Sequence, residues 1–447
     1  MDRLNAVLGR LQGLHPQEID LSLGRLERLL DKLGNPHLDL PPVIHIAGTN
    51  GKGSTLAFLR AALEADNKSV HVYTSPHLVN FRERIRLGAP DGSAQARNGG
   101  GRFVSDEMLA DVLIEVEKVN DGAEITFFEI TTAAAFVLFA EHPADILLLE
   151  VGLGGRLDAT NVVETPLASI ISVVSHDHER FLGDTLAEIA HEKAGILKPG
   201  VPAFVAPQTD EAMAVIEVRA EEIGAPLSVG NRDWQAYEEH GRLVFQNEHG
   251  LLDLPLPHLF GRHQFINAGL AVAVLRHCYP KLPVAAIEKG LQTADWPARM
   301  QRLTAGTLFD RLDPAIELWV DGGHNPGAGE VVSAAMADLE DRAPKPLFLI
   351  TGMLTTKDPV GYFRPFAGLA RAVFTVPLKN TDGGRSPESL AEAAREAGLD
   401  ARAVGGIADA ILAIQAQLDA EDEVRVLIGG SLFLAGEVLA ENHTPPA

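Results

Sequence analysis

The run Gly48-Thr49-Asn50-Gly51-Lys52-Gly53-Ser54-Thr55 places three glycines, one lysine and three hydroxyl side chains within eight residues. It follows the apolar run Pro42–Ala47 (PVIHIA) and opens an amphipathic stretch, Lys52–Ala65, so it joins a buried strand to a helix. That is the setting of a phosphate-binding loop. A triphosphate is a dense polyanion that the backbone must approach closely, which favours glycine. The N-terminus of a helix offers unpaired N–H groups and the positive end of a dipole. Lys52 would reach the terminal phosphates, and the Ser54 hydroxyl would take a place on Mg²⁺. The loop departs from GxxxxGK[ST], because position 46 is Ile46 and Gly53 separates Lys52 from the hydroxyl residue. A glycine-rich turn without a ligand would carry the same residue types.

The bulk of the chain bounds what such a loop can serve. Its 447 residues predict two or three domains. A formal net charge of -23 argues against nucleic acid or an anionic membrane as a general partner, since those surfaces need clustered Lys and Arg. It leaves room for small anions, which a few N–H groups and cations can hold on an acidic protein. The single cysteine, Cys278, excludes an internal disulfide framework and fits a reducing compartment. No apolar run reaches membrane-spanning length, and MDRLNAVLGRLQGL lacks the pattern of a signal peptide, so a cytoplasmic location is expected.

The elements that must position the loop alternate along the chain. Pro42–Ala47, Ser69–Tyr73, Asp145–Val151 and Leu167–Val174 read as strands, with helices at Lys52–Ala65, Glu129–Glu141 and Thr185–Ala194. This order predicts an α/β fold with a mainly parallel sheet and helices on both faces. A second cycle follows Trp296, with strands at Glu317–Asp321, Pro346–Thr351, Ala372–Val376 and Val424–Ile428. Helices at Gly327–Leu339, Pro387–Ala397 and Ile407–Leu418 alternate with them. The expected division is an ATP-binding domain over 1–296 and a smaller Rossmann-like α/β domain over 297–447, because Pro297 interrupts the pattern there. Arg242–Leu254 suggests a hairpin. Gly88–Arg102 is glycine-rich, polar and aperiodic, and reads as a flexible surface loop.

Ordered along the chain are GTNGKGST (Gly48–Thr55), TSPHLVNFRERIRL (Thr74–Leu87), FFEITTAAAFVLF (Phe127–Phe139) and LLLEVGLGGRLDATNVV (Leu147–Val163). HDHERFLGDTLAEIAHEKAGILKPG (His176–Gly200) and GRHQFINAGLA (Gly261–Ala271) follow. WPARMQ (Trp296–Gln301), DGGHNPGA (Asp321–Ala328), GMLTTKD (Gly352–Asp358) and GSLFLAGE (Gly430–Glu437) complete the series. The series resembles the Mur ligase superfamily and, within it, the bacterial folylpolyglutamate synthase/dihydrofolate synthase family. The resemblance implies a P-loop ATPase domain of Mur-ligase type joined to a C-terminal glutamate-ligase domain. It implies an enzyme that turns a pteroate or folate carboxylate into an acyl phosphate with ATP and joins it to L-glutamate, acting on dihydropteroate, a reduced folate or both.

It also implies roles for residues. Gly48 to Thr55 would hold ATP together with Asn267, Arg299 and Asp321. Ser54, Ser75, Glu150 and His178 would ligate Mg²⁺, and a monovalent cation such as K⁺ would be a further cofactor. By residue type alone Glu150 reads as a strand-end carboxylate able to reach Mg²⁺. His178 reads as a helix-cap or core histidine, because imidazole is a poor partner for so hard a cation. Lys193 matches a lysine that this superfamily carbamylates, although an exposed helix lysine would look the same. Lys52, Lys193, Asp321 and His324 form the implied catalytic set. Where the family commonly has a small apolar pair before the histidine, Gly322-Gly323 is expected to loosen the loop. Phe127, Phe128 and Asp158 match positions that bind the pteroyl group, while adjacent phenylalanines also suit a core.

Two other readings remain at this point. Another Mur-type ligase, acting on a UDP-muramoyl precursor, would share the loop but lacks an evident N-terminal UDP domain here. A P-loop switch protein would have little need of a second domain carrying DGGHNP. A two-domain ligase that closes over ATP is expected to work as a monomer, with small molecules as its partners.

Overall fold

The computed structural model describes residues 2–14, 20–89, 100–418 and 423–446. The expected surface loop lies largely outside the described residues, which stop at Ala89 and resume at Gly100.

The first sheet has eight strands in the order β4-β3-β2-β5-β1-β6-β7-β8. They are β1 (Val43–Ala47), β2 (Val70–Tyr73), β3 (Ile85–Leu87), β4 (Arg102–Phe103), β5 (Ile146–Glu150), β6 (Ala168–Ile171), β7 (Ala203–Val205) and β8 (Leu227–Val229). β1 is parallel to β5 on one side and β6 on the other, with Ile46 level with Glu150 and Ile170. Every residue of β1, β2, β5 and β6 is buried, as expected of parallel strands covered on both faces. One face is covered by α3 (Lys52–Ala65), α9 (His263–Cys278) and α10 (Val284–Thr293), and the other by α1 (Asp2–Gln12), α2 (Gly24–Lys32), α4 (Asp106–Asn120) and α5 (Phe127–Glu141). Beyond β6 lie α6 (Glu179–Leu182), α7 (Leu186–Ala194) and α8 (Asp210–Ile223). The shared register brings the carboxyl ends of β1, β5 and β6 to one edge. Ligands of open α/β sheets gather at that edge.

The expected hairpin is part of a three-stranded antiparallel sheet, β9 (Trp234–Glu239), β10 (Arg242–Asn247) and β11 (Gly250–Pro255). β9 alternates buried Trp234 and Ala236 with exposed Gln235 and half-exposed Tyr237, a pattern too short to stand out by periodicity.

The second sheet runs β12-β13-β17-β14-β15-β16, parallel except for β12. Its strands are β12 (Gln301–Leu303), β13 (Ile316–Val320), β14 (Leu347–Thr351), β15 (Ala370–Thr375), β16 (Ala401–Ala403) and β17 (Val424–Gly429). Around them pack α11 (Pro326–Arg342), α12 (Pro359–Phe363), α13 (Pro387–Glu396), α14 (Ile407–Gln415) and α15 (Leu432–Glu441). α10 ends at Thr293 and β12 begins at Gln301, so the connection is short. Ala298 and Met300 within it adopt positive φ values of 56° and 43°. Non-glycine residues enter that region at a steric cost.

The helix expected from Glu129 begins two residues earlier. Thr126 caps it, with its hydroxyl accepting from the Glu129 N–H at 3.2 Å while the Glu129 carboxylate accepts from the Thr126 N–H at 2.7 Å. Such a reciprocal box satisfies two end groups and adds about 1 kcal/mol. It also puts Phe127 and Phe128 in the first helical turn.

Candidate active site

A cleft of about 400 Å³ runs between the two α/β parts, and residues from both line it. Gly48 to Ser54 form one wall. The loop is pinned to the segment that follows β6, since the Thr49 and Asn50 N–H groups both donate to the Val173 carbonyl, at 2.9 and 3.2 Å. Lys52 is the first residue of α3. Its Nζ donates to the Gly48 carbonyl at 3.0 Å and lies 3.9 Å from Glu150 Oε1. The inserted Gly53 has a packing reason: a Cβ there would come within 2.5 Å of the Trp296 indole from the connection between the two parts. Ser54 and Thr55 are buried in the same turn, and among the described residues the Thr55 hydroxyl has no hydrogen-bond partner.

Glu150 closes β5 at 5% exposure. Its Oε2 accepts from the Thr74 hydroxyl and from the Ser75 N–H at 3.2 Å, whereas no hydrogen bond reaches Oε1 among the described residues. Glu150, Ser54 and Ser75 line the same cleft, and a carboxylate with two hydroxyls is a hard-oxygen donor set of the kind Mg²⁺ selects. The surrounding Thr74–Leu87 segment is tied into shape by Glu83, whose carboxylate accepts from the N–H groups of Leu78, Val79 and Asn80 at 2.8, 3.1 and 2.6 Å.

Lys193, in the last turn of α7, also lines the cleft and is 4% exposed. Burial, helped by the Lys52 charge, pushes its amine down to about 7. Among the described residues no carboxylate lies within ion-pair distance of it. A neutral amine is therefore accessible near neutral pH, which is what reaction with CO₂ demands.

The two parts of the molecule meet at Asp177. Its Oδ2 lies 3.2 Å from His324 Nε2 and accepts from Asn325 Nδ2 at 3.0 Å, while Oδ1 accepts from Lys357 Nζ at 2.5 Å. Burial would raise this carboxyl, but the His324 hydrogen bond and the charges of His324, His178 and Lys357 outweigh it and hold the group far below the usual carboxylate range. Asn325 also exchanges hydrogen bonds with Asn50, at 3.1 and 3.2 Å, so the second part touches the phosphate loop directly. Asp177, His178 and His324 bring their ligating atoms within 4.8 Å of one another. His178 stands just before α6, at its N-cap, with a φ of 55°, and Lys357 Nζ lies 3.4 Å from its Nε2, so the structure gathers it with the Asp177 group.

Asn267 and Arg299 face the cleft from opposite parts, with Asn267 Nδ2 donating to Gln264 Oε1 at 3.0 Å. Asp321 follows β13 and is 4% exposed; its carboxylate accepts from the Met300 N–H at 2.8 Å and the Gly323 N–H at 2.7 Å. That contact draws the connecting segment onto the second sheet. Gly322 and Gly323 are packed rather than loose. A Cβ at position 322 would fall 2.4 Å from the Leu432 side chain and 2.7 Å from Arg299 Nη1, the far ends of two long side chains that pack against the loop.

Phe127, Phe128 and Asp158 do not line this cleft. Phe127 packs edge-on against Phe81 at 5.5 Å, and Phe128 lies 6.2 Å from Tyr73. Asp158 is 2% exposed, with its carboxylate accepting from the N–H groups of Leu153 at 2.8 Å and Thr160 at 3.0 Å. It thereby closes the turn that follows Glu150. Asp177, Asn325 and Lys357 are the residues that sequence reasoning passed over. Each stands within a quoted motif, but no spacing rule joins positions 177, 325 and 357; only the fold does.

The family model described as the Mur ligase middle domain matches residues 46–275. A probable bifunctional folylpolyglutamate synthase/dihydropteroate synthase from Haloferax volcanii is 34% identical over 428 residues, which is 92% of this chain and 47% of that protein. The chain thus spans about half the length of that relative. E. coli FolC in complex with DHPP and ADP superposes with a TM-score of 0.84 at 31% identity, covering 98% of this chain and 97% of that one. A bifunctional folylpolyglutamate synthase/dihydrofolate synthase from Yersinia pestis, complexed with AMPPNP and Mn ion, gives 0.84 at 30% identity and covers 98% of both chains.

Proposed function

This chain belongs to the Mur ligase family, and we propose that it is an ATP-dependent ligase joining a pteroate- or folate-type carboxylate to L-glutamate. The observation that carries the reading is the meeting of the Lys52 loop and the Asp321–His324 loop across one cleft, through Asn50 with Asn325 and Asp177 with His324. A phosphate-binding loop alone would serve many ATPases. A second loop seated over it supplies a place for a second reactant and walls off water.

In this reading the acceptor carboxylate attacks the γ-phosphorus of ATP, the bond to the bridging oxygen breaks and ADP departs. The glutamate amine then attacks the acyl carbon, phosphate leaves, and the amine proton is lost. Lys52 and the N–H groups at the start of α3 hold the phosphates; Asn267, Arg299 and Asp321 hold the rest of the nucleotide from both sides. Ser54, Ser75 and Glu150 would hold Mg²⁺, with His178 the fourth expected ligand. The cation, when bound, neutralises phosphate charge. Lys193 is carbamylated in this account, which turns a poorly solvated cation into an anion beside the site. His324, held between the Gly322 carbonyl at 3.0 Å and Asp177, orients the second reactant. Asp158, Phe127 and Phe128 shape the acceptor's pteroyl site from behind the Glu150 turn. All these groups come from one chain, so a monomer suffices. Both dihydropteroate and reduced folate serve as acceptors in this proposal.

Mass analysis of reactions containing ATP, Mg²⁺ and glutamate, with dihydropteroate and tetrahydrofolate supplied separately, tests it. One glutamyl increment on the first and successive increments on the second are expected. Replacing K⁺ by Na⁺ in the same assay tests the monovalent cation.

A further inference from the structure

Gly436 stands inside α15, where glycine is a weaker choice than alanine. Its backbone is helical, so conformation does not call for it. Its neighbour in space does. A Cβ there would overlap the carbonyl oxygen of Leu78 and fall 2.9 Å from the carbonyl carbon, both of them backbone atoms of the first part. The helix of one part therefore rests on a peptide of the other with no side chain between them. Beside this contact Leu78 and Val79 pack against the apolar core of the second sheet.

Leu78 belongs to a loop whose two ends meet, since the Thr74 N–H donates to the Arg84 carbonyl at 2.9 Å. Inside it the buried Glu83 carboxylate accepts from the N–H groups of Leu78, Val79 and Asn80, and Arg84 Nε donates to His77 Nδ1 at 3.0 Å. Tied in this way, the loop moves as a unit. At its base the Thr74 hydroxyl and the Ser75 N–H both donate to Glu150 Oε2. α15, by contrast, is anchored in its own part. Leu434, Ala435, Val438 and Leu439 are buried in the second core, and Glu437 Oε1 accepts from the Lys379 N–H at 2.6 Å. The loop's hold on Glu150 is two hydrogen bonds, whereas a whole apolar face holds the helix. Pressure at the contact therefore moves the loop and not the helix.

We propose that Gly436 is a positioning residue for the cation site: by letting α15 seat on the Leu78 peptide, it sets the loop that holds Glu150 and carries Ser75. The inference rests on the reading above in which Ser75 and Glu150 hold Mg²⁺. Seating of the second part and alignment of the oxygen donors then become one event. The cation is held well only when the part that brings Arg299, Asp321 and His324 is in place. This junction is separate from that of Asp177 with His324, and it acts on Glu150 rather than on His178.

Electron paramagnetic resonance of Mn²⁺ tests it, with ADP kept below the protein concentration and the full chain compared with its variants Gly436→Ala and Val79→Ala. G436A forces the loop from Glu150, and loss of one charge-assisted hydrogen bond predicts that Kd for protein-bound Mn²⁺ rises roughly tenfold. V79A trims the loop's packing without adding overlap and should raise it in the same direction by less. Kd for ADP without metal should not change in either variant, because the phosphate loop is held by Val173 and not by this contact. Unchanged Mn²⁺ affinity in G436A, whatever its melting temperature, would overturn the role. Equal weakening of Mn²⁺ binding and metal-free ADP binding would overturn it as well, since the second part as a whole would then have shifted. If G436A does not fold, V79A carries the comparison, and an unchanged Kd for Mn²⁺ is again decisive against it. A wild type that binds no Mn²⁺ beside ADP would remove the cation reading of Glu150 itself, whereas a wild type that binds it while the variants do too removes the role of Gly436 alone.

Discussion

Asp177 of the first α/β part and His324 of the second stand 3.2 Å apart, carboxylate oxygen to imidazole nitrogen, with Lys357 on the other carboxylate oxygen. This is a junction between two separately built sheets, and it sits at the mouth of the phosphate loop. Asp177→Ala should leave Lys357, whose side chain is 8% exposed, without its anion. Removing one partner of a buried pair costs on the order of 3–5 kcal/mol. Because the pair joins the two parts, the loss should fall on their docking. Small-angle scattering should show a larger radius of gyration for the variant, and kcat should drop roughly a hundredfold from misplacement of the second loop. An unchanged radius with normal turnover would contradict the junction.

Lys52→Ala removes the cation at the head of α3 while keeping a good helix former. Ligation should fall by roughly 10²–10³, the scale seen when one preorganised electrostatic donor is lost. The melting temperature should stay near that of the wild type, since Lys52 makes one hydrogen bond to Gly48 and a long approach to Glu150. Near-normal activity would move the phosphate site elsewhere.

Lys193 gives a pH-dependent prediction in CO₂-free buffer. Its folded-state value of about 7 lies below the unfolded value of 10.5, so between those values the unfolded chain binds more protons. Stability contributed through this group therefore rises with pH across the window from about 7 to 10.5, and the penalty of the buried cation is fully present below 7. Lys193→Met should raise the melting temperature most at pH 6 and by progressively less as pH increases toward 10. With ¹³CO₂ added, a carbamate signal in the carbon NMR spectrum of the wild type should be missing from the variant. A variant advantage independent of pH would place the amine in solvent.

Gly53→Ala should weaken nucleotide binding, since the added methyl meets the Trp296 ring at 2.5 Å. Pairing it with Trp296→Leu should restore part of the loss, and a double-mutant cycle on Kd for ADP should return a coupling of about 1 kcal/mol or more. Additive effects would separate the loop from the connection.

The strand-loop-helix around Gly48 was legible because periodicity, glycine and lysine agree within a dozen residues. The helix Lys52–Ala65 was placed with its observed ends, and four strands of each sheet within a few residues. The Asp177–Lys357 contact was not legible, because it depends on how two sheets dock. Short strands such as β3 and β4 carry too few residues for a pattern, so their pairing beside β2 could not be anticipated. Gly322 is a related case: from sequence a glycine signals freedom, and only the fold shows Leu432 and Arg299 packed beside it.

If one cleft couples ATP cleavage to amide formation, phosphate release is stoichiometric with ligation. Phosphate should be followed with ATP and Mg²⁺ present, adding acceptor acid and glutamate singly and then together. Sustained release, one phosphate for each glutamyl bond formed, is predicted only when both are present. Sustained turnover with ATP alone, or with glutamate but no acceptor, would contradict the account.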